Sequence, residues 1–263
     1  MLSRLTRPKA VAVCALPVVA LFATAAFAPL PFSIAQPGST ADVLKEYQGN
    51  EVIRISGAPT RDTEGQLRMT TIVATGPDAR VSLGDVLGNW FDTDRAVMPL
   101  DAVYPEGDNV KEIEKYNLNQ MRESQDTATT AALDYLDLDA SGIDVKLDLG
   151  DVGGPSAGLM LSLGIVDKLK GDGHGGDLTG GRNIAGTGTI SAGGKVGAVG
   201  GVPLKTQAAR RDGATVFLVP KAECSDAQAE LPEGLRLVPV TSLKGAVDAL
   251  RALNSGKGEV PSC

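Results

Sequence analysis

The residues that could carry covalent chemistry are a serine and a lysine that lie far apart in the chain. In VGGPSAGLMLSLGIVDKLKG, residues 152–171, two glycines and a proline present Ser156 just where an apolar helix begins. Leu159, Leu161, Leu163, Ile165, Val166 and Leu169 make that helix apolar nearly all round, as a buried helix is. Lys168, Lys170 and Gly171 supply its C-terminal stop. A hydroxyl at the mouth of such a helix sits beside unpaired backbone N–H groups and the positive end of the helix dipole. Backbone N–H groups there can hold an oxyanion, and Gly153, Gly154 and Ser156 are the candidates. Ser156 is therefore a candidate nucleophile in need of a base. The plain alternative is a tight turn with a helix-capping serine.

The base follows by elimination. GPSAG at 154–158 fits the nucleophile-elbow pattern G-x-S-x-G, whose enzymes need a histidine well downstream, after an acid. The sole histidine, His174, instead falls in the loop GDGHGGD soon after the serine and reads as an exposed loop residue. A cysteine nucleophile fails on the same ground, and no S-x-x-K signature accompanies the serine. Lysine remains. Its free pKa is about 10.4 while a useful base titrates near about 7 to 8, so the lysine must be desolvated at a cost of roughly 4 kcal/mol. Lys195 stands in the turn AGGKVG, where exposure is expected. Lys205 opens a helix after GGVPL, and a helix N-terminus disfavours an ammonium. Lys205 is the better base, and Thr187 is the hydroxyl placed to orient it. No cysteine pair has metal-ligand spacing, and neither a metal nor a cofactor is implied.

These residues need elements to hold them. IDVKLDL at 143–149 alternates and predicts a half-buried strand leading into the serine loop. A helix is expected over 110–136, with Met121, Ala128, Ala132 and Leu136 on one stripe. EVIRIS (51–56) and QLRMTTIVA (66–74) read as two strands joined in a hairpin. Residues 76–108 read as irregular, with Trp90 and Phe91 plugging a satellite cluster. Beyond the serine helix, RNIAGTGTISAGGKVGAVGG reads as strand, turn and strand, followed by a helix from Lys205 to Arg211. Strands at 215–220 and 235–240 and a last helix at 242–253 complete an α/β (α+β mixed-sheet) domain over 50–254, with 255–263 as a tail.

Composition narrows the setting. Hydrophobic residues are 43%, charged 22% and aromatic only 4% of 263 residues, so the core must be aliphatic. A net charge of −7 without a basic patch argues against nucleic acid as a partner. Residues 1–37 carry Arg4, Arg7 and Lys9 ahead of an uncharged run from Ala10 to Pro37, either a single membrane anchor or a leader cleaved after Ser33-Ile34-Ala35. The anchor is the favoured reading, with 38–49 as a linker and the body outside the cytoplasm. In that oxidising setting Cys224 and Cys263 either pair or remain two free thiols.

The serine and lysine motifs together resemble the proteolytic domain of Lon proteases, a family of serine–lysine peptidases. VGGPSAGL followed by AGTGTISAGGKVGAVGGVPLKTQAARRDGATVFLVP carries the likeness, and it extends over roughly residues 50 to 252. It implies that Ser156 is the nucleophile, Lys205 (four residues after Gly201) its base, and Thr187 the threonine beside the lysine, in a ribosomal protein S5 domain 2-like fold. It also implies polypeptide substrates and a hexameric ring. No G-x-x-x-x-G-K-[ST] phosphate loop is present, so ATP-independent cleavage of unfolded or flexible exported proteins is expected. The N-terminal segment is similar to that of bacterial membrane-anchored Lon-like proteases, but DLDASG at 137–142 takes the place of their PDZ domain. Gly153 stands where cytoplasmic members often carry an acid, and Asp151 is the nearest substitute. A catalytically weak binding or scaffold protein at the membrane surface is the alternative.

Overall fold

The computed structural model describes residues 7–106, 109–150 and 152–263, with side chains of the first helix described from 11 to 24. In chain order the elements are α1 (Arg7–Phe27), β1 (Phe32–Asp42), β2 (Glu46–Tyr47), β3 (Asn50–Glu51), β4 (Ile53–Ser56), β5 (Gln66–Ala74), α2 (Leu83–Trp90), β6 (Ala96–Pro99), α3 (Leu100–Val103) and α4 (Val110–Tyr135). They continue with β7 (Asp144–Leu147), α5 (Gly158–Leu169), β8 (Asn183–Gly186), β9 (Thr189–Ile190), β10 (Val196–Gly197), α6 (Val202–Arg211), β11 (Val216–Pro220), α7 (Cys224–Ala229), β12 (Arg236–Val240) and α8 (Leu243–Ser255).

A six-stranded sheet in the order β12-β11-β8-β5-β1-β6 organises the body. Its first four strands run parallel to one another, and β1 and β6 add to it antiparallel. The parallel strands are connected through helices, as such pairing requires. β11 shows the consequence in sequence: VFLVP is buried at every position, as expected of a strand covered on both faces.

Helix α5 is the centre of the core, buried from Gly158 to Lys168. It packs against α4, β5 and α8. Gly164 permits the close approach of β4 and of the residue after β1, since a Cβ there would lie 2.5 Å from Ile53 Cδ1 and 2.9 Å from Val43 Cγ2. Lys168, near the end of α5, is neutralised by Glu51 Oε1 at 2.5 Å and by a hydrogen bond to the Ile53 carbonyl at 2.7 Å, which a buried ammonium needs.

Several expectations fail here for identifiable reasons. β4 and β5 do not form a hairpin: β4 pairs with β7, and β5 lies between β1 and β8. The irregular stretch 76–108 contains α2, β6 and α3. Residues 38–49, expected as a linker, hold the second half of β1 and β2. β1 was hidden because FSIAQPGSTAD has few β-formers and carries a proline; a register shift between Pro37 and Thr40 accommodates it. Trp90 and Phe91 plug nothing, being 65% and 82% exposed. Among the described residues no helix is long and apolar enough to cross a membrane, so a spanning segment rests on the sequence reading alone. Arg4 lies outside the described residues.

Candidate active site

The serine loop is held from two sides. Gly154 adopts φ 87°, ψ 156°, a conformation that glycine takes without strain, and its N–H donates to the Asn117 carbonyl of α4 at 3.0 Å. Gly153 lies against the same residue, where a Cβ would meet Asn117 Cβ at 2.8 Å. Ser124, one turn-pair further along α4, donates its hydroxyl to the Pro155 carbonyl at 3.0 Å. On the other side the Gly188 N–H donates to the Ser156 carbonyl at 2.9 Å, and the Leu159 N–H to the Gly188 carbonyl at 3.1 Å. Pro155 to Ala157 then form one 3₁₀ turn leading into α5. Ser156 is half-buried at this junction.

Lys205 reaches the same place from α6. Gly201 starts that helix at φ 68°, ψ 28°, with its carbonyl accepting the Lys205 N–H at 3.1 Å. The lysine side chain is only 4% exposed. Its Nζ donates to Thr187 Oγ1 at 3.2 Å, and the Thr187 hydroxyl donates to the Ser156 carbonyl at 3.3 Å. Burial pushes the Lys205 pKa down to about 8, against a smaller opposing pull from the Glu223 carboxylate. Among the described residues Ser156 Oγ and Lys205 Nζ make no hydrogen bond to each other.

Serine and lysine line one cleft of about 370 Å³. Its walls include Thr70 to Ile72 of β5, Met98 of β6, Tyr116 and Met121 of α4 and Val199 to Gly200 ahead of α6, and Lys205 is the only charged residue among them. Such a wall keeps water scarce around the amine, which sustains its lowered pKa. Of the backbone groups expected to hold an oxyanion, Gly153, Gly154 and Ser156 all line the cleft, and the Gly154 N–H is taken up by the Asn117 carbonyl in this structure. Lys195 is exposed on its turn and His174 on its loop, so neither belongs to the site. Asp151 lies outside the described residues. No group of three or more His, Cys, Asp or Glu that could hold a metal occurs among the described residues.

A family model for the Lon protease (S16) C-terminal proteolytic domain matches residues 103–250. The chain belongs to the Lon proteolytic-domain family. Similar curated proteins include a Lon protease of Chloroflexus aggregans, 38% identical over 93 residues (34% of this chain, 10% of that protein). A Lon protease of Clostridioides difficile is 34% identical over 137 residues, or 49% of this chain and 16% of the relative. One from Methanosarcina barkeri is 29% identical over 232 residues, 84% of this chain and 26% of its own length. The chain therefore spans about a quarter or less of these relatives. Membership brings with it the proteolytic domain, hence a peptidase and hydrolase class, and the mixed sheet above is consistent with its fold.

Two features of this Lon-type site were not legible in the sequence. Asn117 and Ser124 support the serine loop from a helix whose sequence marks them only as polar. Glu223 lies within electrostatic reach of Lys205 although it follows a different strand. Its own pKa is raised by burial and by Asp226, with the Val199 N–H and Lys205 pulling the other way. Of the two alternatives left open for the cysteines the structure takes the pair: Cys224, next to Glu223, is joined to Cys263 with Cα atoms 5.4 Å apart. Both cysteines pack on the cluster around Phe217, Val202 and Val219, as does Val199 of the cleft wall.

Proposed function

We propose that this chain is a serine endopeptidase with a Ser156–Lys205 dyad, acting without ATP on unfolded or flexible segments of exported proteins. The observation that carries the reading is a buried lysine with a pKa of about 8 in the same uncharged cleft as Ser156. In this mechanism Lys205, neutral in part of the molecules near pH 7, leaves Thr187 and accepts the Ser156 proton as Oγ attacks the peptide carbonyl carbon. Negative charge develops on the carbonyl oxygen and is held by the backbone N–H groups of Gly153 and Ser156. The lysine ammonium then gives its proton to the departing amine. A water molecule, deprotonated by the same lysine, hydrolyses the acyl-serine. Thr187 keeps the amine oriented between these steps.

Every group used in these steps belongs to the serine–lysine cleft, and none of the steps calls for a nucleotide. The setting is the extracytoplasmic face of a membrane, with α1 embedded in lipid. Two observations favour that over a secreted product cut near Ala35. The described side chains of α1 are apolar and exposed at Val11, Leu16, Val19, Leu21 and Phe22. A cut after Ala35 would run through β1, whose residues Phe32 to Ala35 pair with β6. A homo-oligomer, by family resemblance a hexameric ring, is part of the proposal and is tested by light scattering in detergent.

The deciding experiment uses the full chain and a fluorescently labelled unfolded casein, with Ser156→Ala and Lys205→Ala alongside. Turnover and labelling by a serine-directed fluorophosphonate that both vanish in Ser156→Ala are expected. Casein binding without turnover or labelling in the unaltered chain would instead favour the scaffold reading.

A further inference from the structure

We infer that α2 is an interfacial helix, lying in the headgroup region of a lipid bilayer beside α1. The proposal rests on the reading of α1 as lipid-embedded. Leu83, Leu87 and Trp90 stand at i, i+4 and i+7, on one face of the helix, and Phe91 caps that face. Leu87 is 55%, Trp90 65% and Phe91 82% exposed, while Val86 alone of this helix turns into the body. Asp85 and Asn89 fall on the other side. A reciprocal cap holds the short helix in place: the Asp85 N–H donates to Ser82 Oγ at 3.3 Å, and the Ser82 N–H to Asp85 Oδ2 at 2.9 Å. An amphipathic helix with its large apolar and aromatic side chains left in water is a surface awaiting a partner.

Its neighbourhood indicates which partner. α1 packs against α2. The chain leaving α1 is tied to the residue before the α2 cap, the Leu30 N–H donating to the Val81 carbonyl at 2.8 Å. Thus α2 begins beside the body-proximal end of α1. The exposed apolar residues of α1, among them Val11, Val13, Leu16, Val19, Leu21 and Phe22, project at angles all round the helix. A protein partner covers one face of a helix; only a lipid phase covers every face. The described side chains of α1 span fourteen positions, about 21 Å of rise, enough to fix α1 in the apolar layer whether or not it crosses. A helix lying at the end of such a segment, with Trp and Phe on its open side, occupies the depth at which interfacial aromatics collect. The consequence is that the body is held against the membrane by two elements rather than hung from one.

Trp90 is the only tryptophan of the chain, so its fluorescence reports this helix without labelling. The full chain, purified in detergent, is reconstituted into phosphatidylcholine vesicles in which the acyl chains are brominated either near the headgroup or near the terminal methyl. The expected result is flotation with the vesicles and roughly twofold quenching of Trp90 by the shallow bromines, with less by the deep ones, as for an interfacial aromatic. The doubly substituted Leu87→Asp, Phe91→Asp chain should still float through α1 but lose that quenching. Flotation with Trp90 emission quenched only by aqueous acrylamide overturns the interfacial helix and leaves the embedded α1 intact. Protection from both quenchers that grows with protein concentration overturns it in favour of a second copy of the chain. Failure to float overturns both readings. Casein turnover, measured on the same vesicles, reports the peptidase proposal independently.

Discussion

The two halves of the central sheet differ in how their strands are specified. In the parallel half, β12, β11, β8 and β5 are connected through helices and bring Thr187 and Lys205 to the serine loop. In the antiparallel half, β6 lines the cleft through Met98, and β1 and β6 carry the connection to α1 and α2. The first half is written in continuous apolar runs, glycines at positive φ and a buried lysine. The second is written in two proline-containing strands, one of eleven residues and one of four. Where chemistry must be aimed, side chains and loops hold one another in place; where the chain meets its surroundings, the backbone ladders of β1 with β5 and β6 do the holding.

The largest expected effect tests the aimed half. Ser156→Ala or Lys205→Met should lower casein turnover by at least about 10³-fold, as loss of a nucleophile or its base does. Lys205→Met should at the same time make the fold more stable at pH 7, by about 1 to 3 kcal/mol. The sign follows from the lowered pKa. The folded state disfavours the ammonium, so its burial is a cost below about pH 8 that fades as pH rises towards the ordinary lysine value of 10.5. Urea midpoints at pH 7 and pH 10 check this; a drop in stability at pH 7 would mean that the lysine is held chiefly as a cation.

The next prediction tests the closing half. A chain starting at Gln36 should unfold at lower urea than one starting at Pro29, by about 2 to 5 kcal/mol. It loses the pairing of Phe32 to Ala35 with β6, the buried Ala35 and the Ser33 hydroxyl bond to the Thr75 carbonyl at 2.9 Å. Equal midpoints would show that this strand segment is dispensable, and would reopen leader cleavage near Ala35.

Two smaller effects sharpen the picture of the dyad. The value of kcat/KM should rise about tenfold between pH 7 and pH 9, following deprotonation of a lysine with a pKa of about 8. A flat profile over that interval would remove Lys205 as the base. Thr187→Val should cost roughly tenfold in turnover while Thr187→Ser retains most of it, because the oxygen, not the methyl, accepts the lysine N–H. Lys195→Ala, on its exposed turn, should change neither quantity.

The contrast also explains what the chain's sequence could reveal. α4, α5, β11, β12 and α8 could be read because each buries a long face against a near neighbour, which imposes a regular apolar period. The unequal burial of Lys205 and Lys195 could be read too, since a helix start among apolar residues and an exposed glycine turn set opposite environments for an amine. β1 could not be read. Its apolar residues alternate only loosely, and they sit in the same uncharged run as α1, so two elements looked like one. The pairing of β4 with β7 rather than β5 is set by packing around α5, and no local signal records it. The support of the serine loop by Asn117 and Ser124 likewise depends on how α4 crosses the loop, which no residue type on the helix announces.

The bridge between Cys224 and Cys263 has a consequence of its own. It converts α7, β12, α8 and the segment after them into a closed loop fastened beside Glu223 and the cluster that backs Val199. Neither heat-driven fraying nor pulling opens such a loop while the sulfurs stay joined; electrons do. The firmness of this wall is therefore coupled to the thiol–disulfide balance of the surrounding medium, which sets whether the loop is present as a constraint at all.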